Sequence, residues 1–311
     1  MTAPRNPEKI LIIKLGALGD VMMTEGVMRC IRQHYSNAHI TLITEPLYSR
    51  FMETASHFDE VVPYKREPGW RLDQRLAIKA RLKSGQYDLV IDLQNSSRSR
   101  LFQSWLQDAV ISSTTKYADF RYHRDATRNL ASREYLREQV EMIGVDVSAG
   151  YLPDLSWAAE DVSHILAQHE VKDGFALIVA GSSARHPERR WHGFPALIEQ
   201  LTARNIQVVT TPGPDERDLC AALPATMLMD GDKCLTLNQV VGVASKCAFV
   251  VGNDTGPTHM LSGADTKGVA LFGSNTSPES NTGISEIYQT IEKPALADIS
   301  VKEVLAAIDR L

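Results

Sequence analysis

Short apolar runs recur along this chain of 311 residues, each followed by a polar loop and then by apolar positions at helical spacing. Residues 10–13 open the series as a strand, because an unbroken apolar run suits a strand covered on both faces. The loop Lys14-Leu-Gly-Ala-Leu-Gly-Asp20 follows, and Val27, Ile31 and Tyr35 predict a helix over 21–35. Further strands are predicted at 39–44, 60–64, 88–93 and 110–111, with helices at 47–56, at 71–84 and after Arg98 through 106. A helical, basic stretch over 117–144 comes next. Residues 145–156, with Gly150 and Pro153, break the pattern and read as a crossing between domains. The alternation then resumes, with strands at 176–180, 207–211, 248–252 and 268–272. Helices are predicted at 193–203, 216–222, 237–245, from His259 through 263, and at 301–311.

Strand, glycine-containing turn and helix in repetition is the plan of a mostly parallel sheet with helices on both faces. Its occurrence in both halves predicts an α/β fold of two Rossmann-like domains facing across a cleft, over 1–155 and 156–311. Open sheets of this kind take ligands at the carboxyl ends of their strands. The loops that follow the apolar runs are therefore where chemistry is to be sought.

Composition narrows the class. A hydrophobic fraction of 43% and a charged fraction of 23% are those of a soluble globular protein. The net charge of -5 is too mild to make nucleic acid the main partner. Its distribution says more: residues 1–155 carry net +2 and residues 156–311 net -7, so the first half is the one to meet an anionic partner. Two basic stretches lie there: Lys65, Arg66, Arg71, Arg75, Lys79, Arg81 and Lys83, then Lys116, Arg121, Arg124, Arg128, Arg133 and Arg137, with Arg98 and Arg100 between. They read either as solvated faces or as a surface for an anionic acceptor or a membrane. Cys30, Cys220, Cys234 and Cys247 have neither metal-ligand nor disulfide spacing, which fits a reducing cytoplasm. No apolar run reaches membrane-spanning length, and residues 1–8 lack the apolar core of a signal peptide. The expectation is a cytoplasmic protein whose membrane contact, if it has one, is peripheral at the inner face.

Candidate chemistry falls on the predicted loops. Gly16 and Gly19 leave room for a ligand or another backbone to approach, and Asp20 stands where a helix begins. By itself Asp20 reads as a helix cap or as a functional carboxylate. In the second half, Asn253-Asp-Thr-Gly-Pro-Thr-His259 ends a strand and opens a helix, with Pro257 suited to the first turn. The amides of Thr255 and Gly256 there form an anion or diphosphate cradle, with Asp254 and His259 beside it, or else the segment is a capped turn. Arg189 and Arg190 are placed to neutralise a diphosphate, or are loop charges around a packing anchor, Trp191. Glu216, after a strand, is placed to take ribose hydroxyls, or simply favours a helix start. Asp230-Gly-Asp232 reads as a turn, not a metal site. No His, Cys and Asp cluster has metal spacing, and no cofactor is implied.

Six segments together resemble the ADP-heptose:lipopolysaccharide heptosyltransferase family. They are Lys14-Leu-Gly-Ala-Leu-Gly-Asp-Val21, Tyr87-Asp-Leu-Val-Ile-Asp-Leu-Gln94, Arg189-Arg-Trp191, Pro212-Gly-Pro-Asp-Glu216, Asp254-Thr-Gly-Pro-Thr-His259 and Ala270-Leu-Phe-Gly273. The resemblance implies a GT-B glycosyltransferase that inverts the anomeric centre without a metal, moving heptose from ADP-heptose to a lipopolysaccharide inner-core hydroxyl. It makes Asp20 the catalytic base. It gives Arg189, Glu216, Asp254, Thr255, Gly256 and His259 to the donor and puts the lipid-linked acceptor on the first domain; the reading of the loops adds Arg190 to the donor set and Gly16 and Gly19 near the reacting centre. Arg98, Arg100, Arg121 and Arg124 are the acceptor candidates. His192 departs from the family, where Pro is common. Three alternatives share the plan: a transferase with another nucleotide sugar or a protein acceptor, a nucleotide-sugar epimerase, and a non-catalytic nucleotide-sugar binding protein.

Overall fold

Ile10, Leu11, Ile12 and Ile13 are fully buried on β1 (Lys9–Ile13), which lies mid-sheet between β2 (His39–Thr44) and β4 (Leu89–Asp92). The computed structural model describes residues 6–66, 72–125, 127–128, 130–182, 187–273 and 287–311. The chain divides into two units, Met1–Pro153 and Asp154–Leu311.

In the first unit the remaining strands are β3 (Glu60–Pro63), β5 (Val110–Ser113) and β6 (Phe120–Arg121), and the sheet runs β3-β2-β1-β4-β5-β6, parallel throughout. Its helices are α1 (Leu18–Met23), α2 (Glu25–His34), α3 (Pro46–Met52), α4 (Leu72–Ser84), α5 (Ser97–Gln103) and α6 (Ser132–Glu141). One core cluster joins Leu11, Ile13 and Val90 of the sheet to Leu82 of α4 and Phe102 of α5, so these two helices cover the same face.

The second unit repeats the plan. Its helices are α7 (Ser163–Gln168), α8 (Phe194–Ala203), α9 (Arg217–Ala221), α10 (Leu237–Ala244), α11 (Gly256–Ser262) and α12 (Val301–Ile308). Its strands are β7 (Ala176–Val179), β8 (Val208–Thr210), β9 (Thr226–Met227), β10 (Phe249–Asn253), β11 (Gly268–Phe272) and β12 (Tyr288–Glu292), in the order β12-β11-β10-β7-β8-β9, all parallel. Counted within each unit, both sheets have the strand order 3-2-1-4-5-6 of the doubly wound nucleotide-binding fold. In such a sheet the order reverses between the first and fourth strands, and ligands sit outside their carboxyl ends. Here those points are β1/β4 and β7/β10.

Two sequence expectations are corrected. The helix expected over 21–35 is two helices broken at Thr24, whose hydroxyl donates back to the Asp20 carbonyl at 2.6 Å. A threonine that bonds the carbonyl four residues back competes with the helical ladder and bends the chain. The long basic helix expected over 117–144 is only α6, preceded by β6 and by turns such as that at Asp125, whose carboxylate accepts the Thr127 amide and hydroxyl. Lys116, Arg121, Arg124 and Arg128 thus lie off any helix. On α6, Arg133 and Arg137 are held in ion pairs with neighbouring glutamates.

Candidate active site

The loop after β1 sits at the reversal point of the first sheet and is fixed by the loop after β4. The Gln94 side-chain carbonyl accepts the amides of Leu15 at 2.8 Å and Gly16 at 3.2 Å. Gln94 is held in turn by Asp92, fully buried, whose carboxylate accepts the Gln94 and Asn95 amides and the Gln103 side chain. Burial pushes the Asp92 carboxyl up against the pull of those donors. Lys14, also buried, donates to the Leu93 carbonyl at 3.2 Å. Burial pushes its ammonium down, opposed by the carboxylates of Asp20 and Asp92. Lys14 and Asp20 are therefore within electrostatic reach of one another.

Asp20 is exposed, in the first turn of α1 rather than at its cap position, which Ala17 occupies. One carboxylate oxygen accepts the Ala17 amide at 3.2 Å. That bond orients the side chain without burying it. Gly19 is on the same turn, half-buried, and Gly16 is buried beneath the Tyr48 ring: a β-carbon there would stand 3.1 Å from it. The close neighbour of Gly16 is thus an aromatic side chain.

In the second unit the site is assembled on three adjacent strand ends. Asn253, the buried last residue of β10, donates to the Ala180 carbonyl after β7 at 3.0 Å and accepts the Trp191 amide at 3.1 Å. It locks the two loops at the reversal point together. Asp254 is next, buried, and its carboxylate meets His259 Nε2 at 2.8 Å. The other ring nitrogen of His259, Nδ1, is buried with no hydrogen-bond partner among the described residues. With Nε2 committed to a carboxylate, Nδ1 is left for a ligand. Thr255, buried, is the cap residue of α11 and makes no side-chain cap bond, and Gly256, half-buried, is the helix's first residue.

Beside them, after β8, Glu216 stands at the cap position of α9, where its side chain makes no cap bond and instead accepts the Gly213 amide at 3.0 Å. Its carboxyl lies across the loop after β7, where a β-carbon on Gly181 would fall 2.2 Å from it. Burial pushes the Glu216 carboxyl above the usual range, while the Gly213 amide and Arg190 pull it down. Arg190 is turned back on the same loop, donating to the Ser182 hydroxyl and carbonyl at 3.1 Å each. Arg189 ends a short helical turn, half-buried, with no ion pair among the described residues. Trp191 is also the packing anchor: it is buried and its indole donates to the Ile299 carbonyl at 3.0 Å. Asp230-Gly-Asp232 forms the expected turn, closed by paired backbone bonds between Asp230 and Lys233. Among the described residues no three His, Cys, Asp or Glu side chains converge as a metal site.

The acceptor candidates are dispersed. Arg98 donates to the Tyr64 hydroxyl at 2.9 Å, and Arg124 stacks on the Tyr135 ring at 4.1 Å. Arg121 is exposed on β6. Arg100 lines a crevice of about 610 Å³ with Ser97, Leu101, Ser104, Ile111 and Tyr117. Lys14, Asp92, Gln94, Ser182 and Asn253 carry positioning contacts that sequence reasoning did not assign. A polar residue closing an apolar run, as Asp92 and Asn253 do, is the signal that marks two of them.

Two doubly wound units in one chain, with polar residues gathered at the reversal point of each sheet, are the GT-B architecture. The chain belongs to glycosyltransferase family 9 (heptosyltransferase), whose profile matches residues 75–303. It is 20% identical over 281 residues to the lipopolysaccharide core heptosyltransferase OpsX of Haemophilus influenzae, covering 86% of this chain and 78% of that one. Its fold is similar to that of a glycosyl transferase family 9 protein from Veillonella parvula, with a TM-score of 0.86 at 17% identity, over 99% and 98% of the two chains. Similarity to E. coli ADP-heptose lps heptosyltransferase II gives a TM-score of 0.77 at 20% identity, over 97% and 98%. The family expected from the six sequence segments is the family found, and the protein is a glycosyltransferase.

Proposed function

We propose that this enzyme transfers heptose from ADP-heptose to a hydroxyl of the lipopolysaccharide inner core, with inversion and without a metal ion, at the cytoplasmic face of the membrane. The observation that carries the donor assignment is the bare, buried Nδ1 of His259, fixed by Asp254 on one strand end beside Glu216 and Arg190 on the next two. A half-buried carboxylate suits ribose hydroxyls, guanidiniums suit a diphosphate, and an imidazole nitrogen left without a partner can hydrogen-bond a sugar hydroxyl. The relatives named above support heptose and lipopolysaccharide as the substrate classes.

Asp20 of the first unit is the base. Its carboxylate takes the proton of the acceptor hydroxyl as that oxygen bonds to the anomeric carbon. The bond from the anomeric carbon to the diphosphate breaks on the opposite side, so the centre inverts. Charge growing on the departing ADP is met by Arg189 and Arg190 and by the first amides of α11. Lys14 lies beneath the loop that carries Asp20, held by the Leu93 carbonyl. The acceptor lies along the first unit, where Arg98, Arg100, Arg121 and Arg124 meet its phosphates or carboxylates.

The test is incubation of the pure protein with a panel of nucleotide sugars and a truncated lipid core, followed by mass measurement of the product. Addition of one heptose from ADP-heptose alone is the expected result. Addition of a different sugar replaces the donor, and isomerisation of the donor without an acceptor replaces transfer by epimerisation.

A further inference from the structure

Helix α4 carries apolar residues on two separate faces. Its inner side places Leu82 and Ile78 in the core of the first unit. On its outer side Leu72 and Leu76 are 60% and 65% exposed. Leu72, Leu76, Lys79 and Lys83 follow one another at helical spacing and fall on a single stripe about 60° wide at 3.6 residues per turn. Arg75 flanks the stripe, and it and Lys83 are exposed. Lys79 reaches the Trp105 ring at 6.0 Å, which joins α4 to the neighbouring α5 layer. Arg81 is not part of this face: it is paired with Glu60. Asp73 is the one acid within α4.

Two leucines in water, ringed by lysines on the same stripe, call for a partner that is apolar beneath and anionic above. A protein surface is the poorer match, because lysine is depleted where proteins meet. A bilayer surface fits both features: leucines enter the boundary between headgroups and acyl chains while lysines keep their ammonium groups at the phosphates. We propose that α4 seats the first unit on an anionic lipid surface, with Leu72 and Leu76 entering it and Arg75, Lys79 and Lys83 meeting its phosphates. The proposal rests on the function above only for its purpose, which is to bring the enzyme to a lipid-linked acceptor. The contact itself needs no sugar.

The test therefore omits substrates, so its failure is distinct from a failure of the transfer reaction. The full chain is sedimented with vesicles of phosphatidylcholine alone or mixed with phosphatidylglycerol, at low and high salt. Retention by the mixed vesicles only, weakening with salt, is expected. At about fivefold per cation near an anionic surface, Lys79→Gln with Lys83→Gln lowers partitioning about 30-fold. Leu72→Ser with Leu76→Ser lowers it by at least tenfold, keeps the melting temperature, and keeps kcat/KM on a delipidated core saccharide. Absence of retention for the native chain, or native-like retention of either double variant, overturns the proposal. An equal loss of transfer to the delipidated saccharide by the leucine variant also overturns it, making α4 an acceptor surface.

Discussion

The Gln94 side-chain carbonyl holds the Leu15 amide at 2.8 Å across 79 residues of sequence, and so ties the loop carrying Asp20 to the end of β4. It takes the Gly16 amide as well, at 3.2 Å. Gln94→Ala leaves two part-buried donors without their acceptor, a cost of about 1–3 kcal/mol. Loss of placement at the base is expected to lower kcat about tenfold with donor affinity unchanged. Gln94→Glu retains an acceptor oxygen and should recover most of the rate. Turnover, calorimetric ADP binding and thermal melting separate the two effects. Equal kcat in all three proteins at unequal stability would leave Gln94 a purely structural residue.

Asp20→Asn tests the base itself. Asparagine keeps an oxygen for the Ala17 amide, so the first turn of α1 is retained. It cannot take a proton from an alcohol, and kcat is expected to fall about 10²–10⁴-fold while ADP binds as before. Near-native kcat with a lowered melting temperature would reduce Asp20 to a helix-terminus residue.

Much of the fold was legible because parallel strands buried on both faces are unbroken apolar runs. Residues 10–13 and 268–272 could hardly read otherwise. The missed strands are at sheet edges, where that signal fades: β6 and β9 have two residues each, and in β12 only Tyr288 is buried. The overextended helix over 117–144 had charge but no apolar spacing to support it. Within the site, Asp254 and His259 are near neighbours in sequence, so their convergence was readable. The Gln94–Leu15 and Asn253–Ala180 contacts join residues 79 and 73 apart, and only strand order brings them together.

Glu216 gives a pH signature. Burial holds its carboxyl above the usual range in the folded protein. The ionised form therefore disfavours folding above that range, and this cost disappears as the pH falls and the folded protein takes up the proton first. In the absence of nucleotide, Glu216→Gln should melt higher than the native chain near pH 8, with the gap closing on acidification. The same variant should bind ADP about tenfold more weakly through loss of the ribose contact. A gap that widens on acidification would show a carboxylate stabilised by Arg190 rather than strained by burial.

Transfer should persist in EDTA, since Arg189, Arg190 and the first amides of α11 are assigned the leaving-group charge. Recovery of EDTA-abolished activity by Mg²⁺ or Mn²⁺ would return Asp230 and Asp232 to consideration as ligands.

The final prediction concerns the division of substrates between the units. Residues 156–311 carry net -7, yet they are assigned an anionic diphosphate. Local groups must then outweigh the unit's overall charge, and they do so because distant surface charges are screened beyond about 8–10 Å. Arg190→Ala removes a guanidinium held beside Glu216, and His259→Ala removes the bare Nδ1. Each should weaken ADP binding tenfold or more and leave acceptor binding nearly unchanged. Arg100→Gln and Arg121→Gln remove cations from the first unit, one from the crevice wall and one from exposed β6. They should raise the acceptor KM and flatten its salt dependence, with ADP affinity intact. Calorimetry with ADP alone, beside acceptor titrations at two salt concentrations, reads both sides. First-unit variants that lost ADP affinity as severely as those of the second unit would move the donor out of residues 156–311.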